Sequence, residues 1–140
     1  MSDAFDPIDP GSYGYWATEH VRFADLDMLG HVNNKAYATY YETARVIYMA
    51  SRGLSDGLTV GMAMVRLEID YRKEIRFPAT LKLGVRLCRL GSSSITLACA
   101  IFDNDVCVST SKAIVVRFDA KARASKPFTP EERAALERDL

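Results

Sequence analysis

One helical pattern stands alone among strand patterns, and that imbalance limits what this 140-residue chain can fold into. From about residue 34 to 52, Ala36, Tyr37, Tyr40, Tyr41, Ala44, Ile47 and Tyr48 recur at the 3.6-residue spacing of one helix face. Almost everything else alternates. Residues 15–23 switch between Tyr15, Ala17, Glu19, Val21 and Phe23 and the side chains between them. Residues 62–72, 81–90, 94–102 and 106–118 repeat the alternation, with turns at Gly91-Ser92-Ser93 and Asp103-Asn104-Asp105. One helix covers one face of a sheet, not two. The pattern therefore predicts an α+β domain in which a five-stranded antiparallel sheet, its last strands joined largely by hairpins, wraps around one long central helix. A bare sheet edge is a surface for a second subunit, so a homo-oligomer, a dimer or a dimer of dimers, is expected.

The remainder reads as accessory. Residues 1–140 form a single domain without internal repeats. Within it, 1–13 (acidic and broken by Pro and Gly) read as a flexible lead-in, and 120–140 as a tail with a short helix near 130–138. Thr129 is its cap, Pro130 its first position, and Glu131 and Glu132 suit its positive end. Apolar residues make up 49% and charged residues 26%, the balance of a globular chain. Eighteen basic residues against eighteen acidic ones argue against a nucleic-acid partner, and Lys121, Arg123 and Lys126 read as a solvated tail. Cys88, Cys99 and Cys107 have neither disulfide nor zinc spacing and suit inert thiols in a reducing compartment. With no membrane-length apolar run and no signal-peptide pattern, a cytoplasmic protein is expected, with no membrane partner.

The chemistry concentrates between Arg22 and Arg45, RFADLDMLGHVNNKAYATYYETAR. Two acids (Asp25, Asp27), Gly30, His31 and the pair Asn33–Asn34 crowd the loop that feeds the helix. A carboxylate beside a helix N-terminus is what attack on a carbonyl requires. The acid serves as base or nucleophile, and free N–H groups, here those of Asn33 to Lys35, hold the oxyanion.

The element order resembles the hot-dog fold. The string DxDxxGHVNN…Y…YxExAR, running from Asp25 through Tyr37, Tyr41 and Glu42 to Arg45, resembles the acyl-CoA thioesterases of the 4-hydroxybenzoyl-CoA thioesterase type. The resemblance implies a thioester hydrolase that releases a carboxylic acid from CoA or an acyl carrier protein. Asp27, the second acid of the pair, would be its catalytic carboxylate, as nucleophile or general base. The His-Val-Asn-Asn version is similar to the broad-range branch. The hydroxybenzoyl enzyme proper carries other residues at the His31 and Asn33 positions, which points away from an aromatic hydroxybenzoyl substrate. Two other readings of the fold remain: a non-catalytic acyl-binding module, for which Asp27 would be only a turn-former, and a dehydratase, which would use His31.

Within that frame Asp27, His31 and Asn34 are the candidate catalytic residues, and Asn33, Tyr37, Tyr41 and Glu42 the candidate substrate-binding ones. Asp25 is expected to tie the loop, and Asn33 and Asn34 to hold it and cap the helix. Glu42 is either a rival base or a partner for Arg45, and the tyrosines are either core or substrate platform. Arg72, Lys73, Arg76, Arg89, Arg117 and Lys121 are the cations available to coenzyme phosphates. No Gly-rich phosphate loop and no second histidine near His31 occur, so neither a cofactor nor a metal is expected.

Overall fold

The computed structural model describes residues 5–54 and 61–140. Its elements in chain order are β1 (Tyr15–His20), α1 (Asn34–Ser51), β2 (Met62–Tyr71), β3 (Thr80–Leu90), β4 (Ser94–Asp103), β5 (Val106–Asp119), β6 (Ala124–Ser125) and α2 (Pro130–Glu137). The five long strands form one antiparallel sheet in the order β1-β3-β4-β5-β2, and the two-residue β6 pairs with the end of β5. α1 lies across one face of it, the hot-dog arrangement.

Alternation explains the face. Leu81, Leu83, Val85 and Leu87 of β3 and Ile95, Leu97, Cys99 and Ile101 of β4 are all buried and pack with Tyr37, Tyr40, Tyr41, Ala44 and Tyr48 of α1 into one core. Asn33 caps the helix, its Oδ1 accepting from the Lys35 N–H at 2.9 Å. Thr129 and Glu132 close a reciprocal capping box at the start of α2.

Two expectations need correcting, and one neighbour is set by the fold alone. β2 crosses to the far edge beside β5, and residues 72–79 return over the end of the sheet to β3. Alternation records which face a residue takes, not which strand lies beside it. Residues 21–25 leave β1 early, as Phe23–Asp25 turn in a short 3-10 helix that opens the site loop. Residues 5–13 are not a loose lead-in. Tyr13 buries its ring against Phe5, Trp16 and Phe102 on the sheet face opposite α1, and its hydroxyl donates to the Pro7 carbonyl at 2.7 Å. That ring fits because residue 84 is glycine. A Cβ there would stand 2.6 Å from the Tyr13 ring.

Candidate active site

The loop from 22 to 33 is built by its own polar side chains. The Asp25 carboxylate accepts from the Arg22 N–H at 2.9 Å and from the Tyr40 hydroxyl at 2.5 Å. The Asp25 carbonyl accepts from the Asn33 N–H at 2.9 Å. Burial, then the bond to Asp25, pushes the Tyr40 hydroxyl well above its ordinary pKa, so it remains a neutral donor. Asp25 is thus consumed in holding the loop.

Asp27 is placed differently. Its Oδ1 accepts from the Leu29 N–H at 2.9 Å, the Asx turn that rounds the loop tip. Gly30 completes the turn with a φ of +86°, a conformation L side chains rarely adopt. The Asp27 N–H donates to the His31 carbonyl at 3.0 Å, so the two residues face each other across the loop. Asp27 is half-buried, and its Oδ2 has no partner among the described residues.

The start of α1 supplies donors, though fewer than the sequence suggested. The Asn33 N–H is spent on Asp25 and the Lys35 N–H on the Asn33 cap. Only the Asn34 N–H has no acceptor among the described residues. The Asn34 carbonyl accepts from the Tyr71 hydroxyl at 3.3 Å.

His31 and Asn34 border a cleft of about 230 Å³ that is lined also by Tyr37, Tyr71, Lys73 and Glu74; Asp27 lies on the same loop but does not line it. Tyr37 packs edge-on against Tyr71, centroids 4.9 Å apart, and donates to the Lys73 carbonyl at 3.1 Å. Desolvation raises its pKa. His31 Nε2 lies 3.6 Å from the Glu74 carboxylate, an ion pair only when the imidazole is protonated. Glu74 in turn accepts from Arg76 at 2.5 Å. Nothing in the local motif signals Glu74, because the crossover from β2 delivers it.

Other candidates are not brought to the cleft. Tyr41 is fully buried one turn deeper, where its hydroxyl donates to Ser109 Oγ at 2.7 Å, and Ser109 Oγ donates to the Asp70 carbonyl at 2.8 Å. Burial raises its pKa further still. Glu42 is exposed on the outer side of α1. Of the candidate cations, Arg72 and Lys73 border the cleft, and Arg76 stands behind Glu74. Arg117 is committed to a 2.8 Å ion pair with Glu132 and to the Gly61 carbonyl. Among the described residues no group of three or more His, Cys, Asp or Glu is placed to hold a metal ion, and no helix is long and apolar enough to cross a membrane.

Known proteins share this architecture. A thioesterase from Thermus thermophilus, solved with coenzyme A and Zn, superimposes with a TM-score of 0.81 at 29% identity, covering 89% of this chain and 98% of that one. A thioesterase-superfamily structure from Jannaschia sp. CCS1 gives 0.84 at 25% identity over 93% and 85% of the two chains. Protein YsmA of Bacillus subtilis (strain 168) is 25% identical over 128 residues, 89% of this chain and 86% of its own. The model of the thioesterase-like superfamily matches residues 21–136, from the start of the site loop to the last turn of α2, and the chain belongs to that superfamily.

Proposed function

We propose that the protein hydrolyses acyl-CoA thioesters, with Asp27 as the catalytic carboxylate. One observation carries the reading. A carboxylate oxygen of Asp27 and the N–H of Asn34, both without partners among the described residues, belong to one braced loop and the helix it feeds, and His31 and Asn34 line the adjoining cleft. In this reading Asp27 Oδ2 attacks the thioester carbonyl or takes a proton from the attacking water, and the Asn34 N–H donates to the oxygen that becomes negative. The helix dipole favours that charge. Thiolate leaves without strong acid assistance. His31, coupled to Glu74, contacts substrate or the water. The related thioesterase solved with coenzyme A supports a coenzyme-type leaving group.

The site is completed at a subunit seam. The outer edge of β2 is unpaired among the described residues, and Met64 and Val65 on it are 47% and 63% exposed. Beneath it Arg45 is 4% exposed, with one guanidinium nitrogen 3.4 Å from Met64 Sδ and another without an acceptor among the described residues. Burial disfavours the Arg45 charge and the nearby Glu42 carboxylate offsets that only in part, so a second copy bringing an acceptor across the edge would stabilise it. Light scattering that finds a stable monomer at micromolar concentration would overturn the seam.

The decisive experiment is thiol release from a panel of acyl-CoAs. The expected result is hydrolysis with a graded preference for short-to-medium aliphatic chains, each methylene worth about 0.8 kcal/mol, roughly fourfold in kcat/KM. No release from any member defeats the enzymatic reading. A preference for 4-hydroxybenzoyl-CoA by more than about a thousandfold would show that a buried hydrogen bond reads the substrate hydroxyl.

A further inference from the structure

The crossover from β2 to β3 forms a ledge between the site cleft and a second opening. In the order β1-β3-β4-β5-β2 it spans three strand spacings, roughly 14 Å at about 4.8 Å each. The ledge is rigid. Arg72 and Lys73 N–H both donate to the Val108 carbonyl, the Val32 N–H donates to the Ile75 carbonyl at 2.8 Å, and the Val21 N–H donates to the Ala79 carbonyl at 3.0 Å. At its far end lies an opening of about 600 Å³ bordered by His20, Arg76, Thr80 and Asp103. His20 Nδ1 is 3.2 Å from Thr80 Oγ1, which fixes the ring and leaves Nε2 for another partner. Midway, the rings of Phe23 and Phe77 stack edge-on at 5.8 Å, yet Phe23 is 74% and Phe77 43% exposed. Neither the core nor the proposed chemistry uses this aromatic pair, Arg76 or His20. An exposed apolar step beside a cleft is the surface an amphipathic ligand covers.

We propose that this ledge holds the coenzyme half of the substrate, with the pantetheine arm over Phe23 and Phe77 and the nucleotide phosphates at Arg76 and His20. The proposal rests on the acyl-CoA reading above and adds which residues hold the carrier. The Arg76 guanidinium offers a planar fork that suits a phosphate, and it reaches back to Glu74, tying the handle to the residue beside His31. Asp103 on the same rim offers an acceptor to a ribose hydroxyl. An acidic carrier protein would instead need a broad basic face. Here the cations border a concave opening, and Glu74 and Asp103 interrupt them.

The test uses 3′,5′-ADP, the nucleotide handle without thiol or acyl group, titrated by calorimetry into the unaltered protein and into Arg76→Ala, Arg76→Lys and His20→Gln. The expected result is binding that weakens with salt, falls about tenfold or more in Arg76→Ala and recovers in part in Arg76→Lys. In parallel, kcat/KM is compared for acyl-CoA and the matching acyl-pantetheine. The unaltered protein should prefer acyl-CoA, and Arg76→Ala should erase that preference through KM. Nucleotide binding equal in all four proteins overturns the ledge even where acyl-CoA is hydrolysed. Equal use of acyl-CoA and acyl-pantetheine, better use of acyl carrier protein, or a loss in kcat alone overturns it too. Arg76-dependent nucleotide binding without any thioester hydrolysis upholds the ledge and defeats the acyl-CoA reading instead.

Discussion

The two ends of α1 share a helix and differ in how completely their polar groups are used. At the C-terminal end Arg52 grips Asp139 with two bonds of 2.5 and 3.0 Å, and Tyr48 donates to the same carboxylate at 2.5 Å. Ser51 closes on the Tyr48 carbonyl, also at 2.5 Å. The opening there is the larger of the two, about 470 Å³ against 230 Å³. At the N-terminal end Asp27 Oδ2 and the Asn34 N–H have no partner among the described residues. Cavity size would choose the wrong end. Groups that can still bind something mark the site, because folding tolerates unspent polar groups only where they serve a purpose or meet solvent.

Removing the unspent carboxylate should have the largest effect. Asp27→Asn keeps an oxygen for the Leu29 N–H, so the loop survives, while charge and basicity are lost. The expected fall in kcat is about two to four orders of magnitude with unchanged Tm. Near-normal turnover in the folded variant would erase the distinction between the two ends and make exposed Glu42 the next acid to test.

Asn34→Pro is sharper. Asn34 is the first helical residue, and Asn33 before it is already extended (φ −66°, ψ 144°), so proline fits there. The substitution deletes the N–H that has no acceptor and spares the rest of the helix. Asn34→Ala deletes only the side chain. We expect Asn34→Pro to lose about 100–1,000-fold in kcat and Asn34→Ala much less. Equal losses would move the oxyanion donor elsewhere.

Helical spacing predicted α1, and Asn33 was one of two residues named as its cap. Alternation predicted every long strand, running β1 three residues too far, because side-chain type records which residues seek burial. Long-range neighbours were hidden. Glu74 meets His31 only because β2 lies at the far edge. Tyr37 and Tyr41 share one helical stripe, and only the depth of the sheet beneath them separates a cleft wall from the core. Arg117 read as a free strand-end cation until α2 brought Glu132 to it. The order in 5–13 depends on a glycine far along the chain, at position 84.

The smallest effects belong to the saturated end. Arg52→Met should lower Tm by several degrees and leave kcat/KM within about twofold, since the site lies a full helix length away, roughly 25 Å at about 1.5 Å per residue. Acid gives the finer measurement. Burial pushes the Asp139 carboxyl upward, but the bonds from Arg52 and Tyr48 outweigh it and hold the group below its ordinary value. A carboxyl depressed in the folded state stabilises above its unfolded pKa of about 3.9, and that contribution disappears as pH falls through the lower folded value. Asp139→Asn should therefore melt a few degrees below the unaltered protein at about pH 7. The gap should narrow steadily below about pH 4 as the unaltered protein loses what the variant never had. A gap that stayed constant down to about pH 2 would mean that the charge on Asp139 contributes nothing and that packing alone closes this end of the helix.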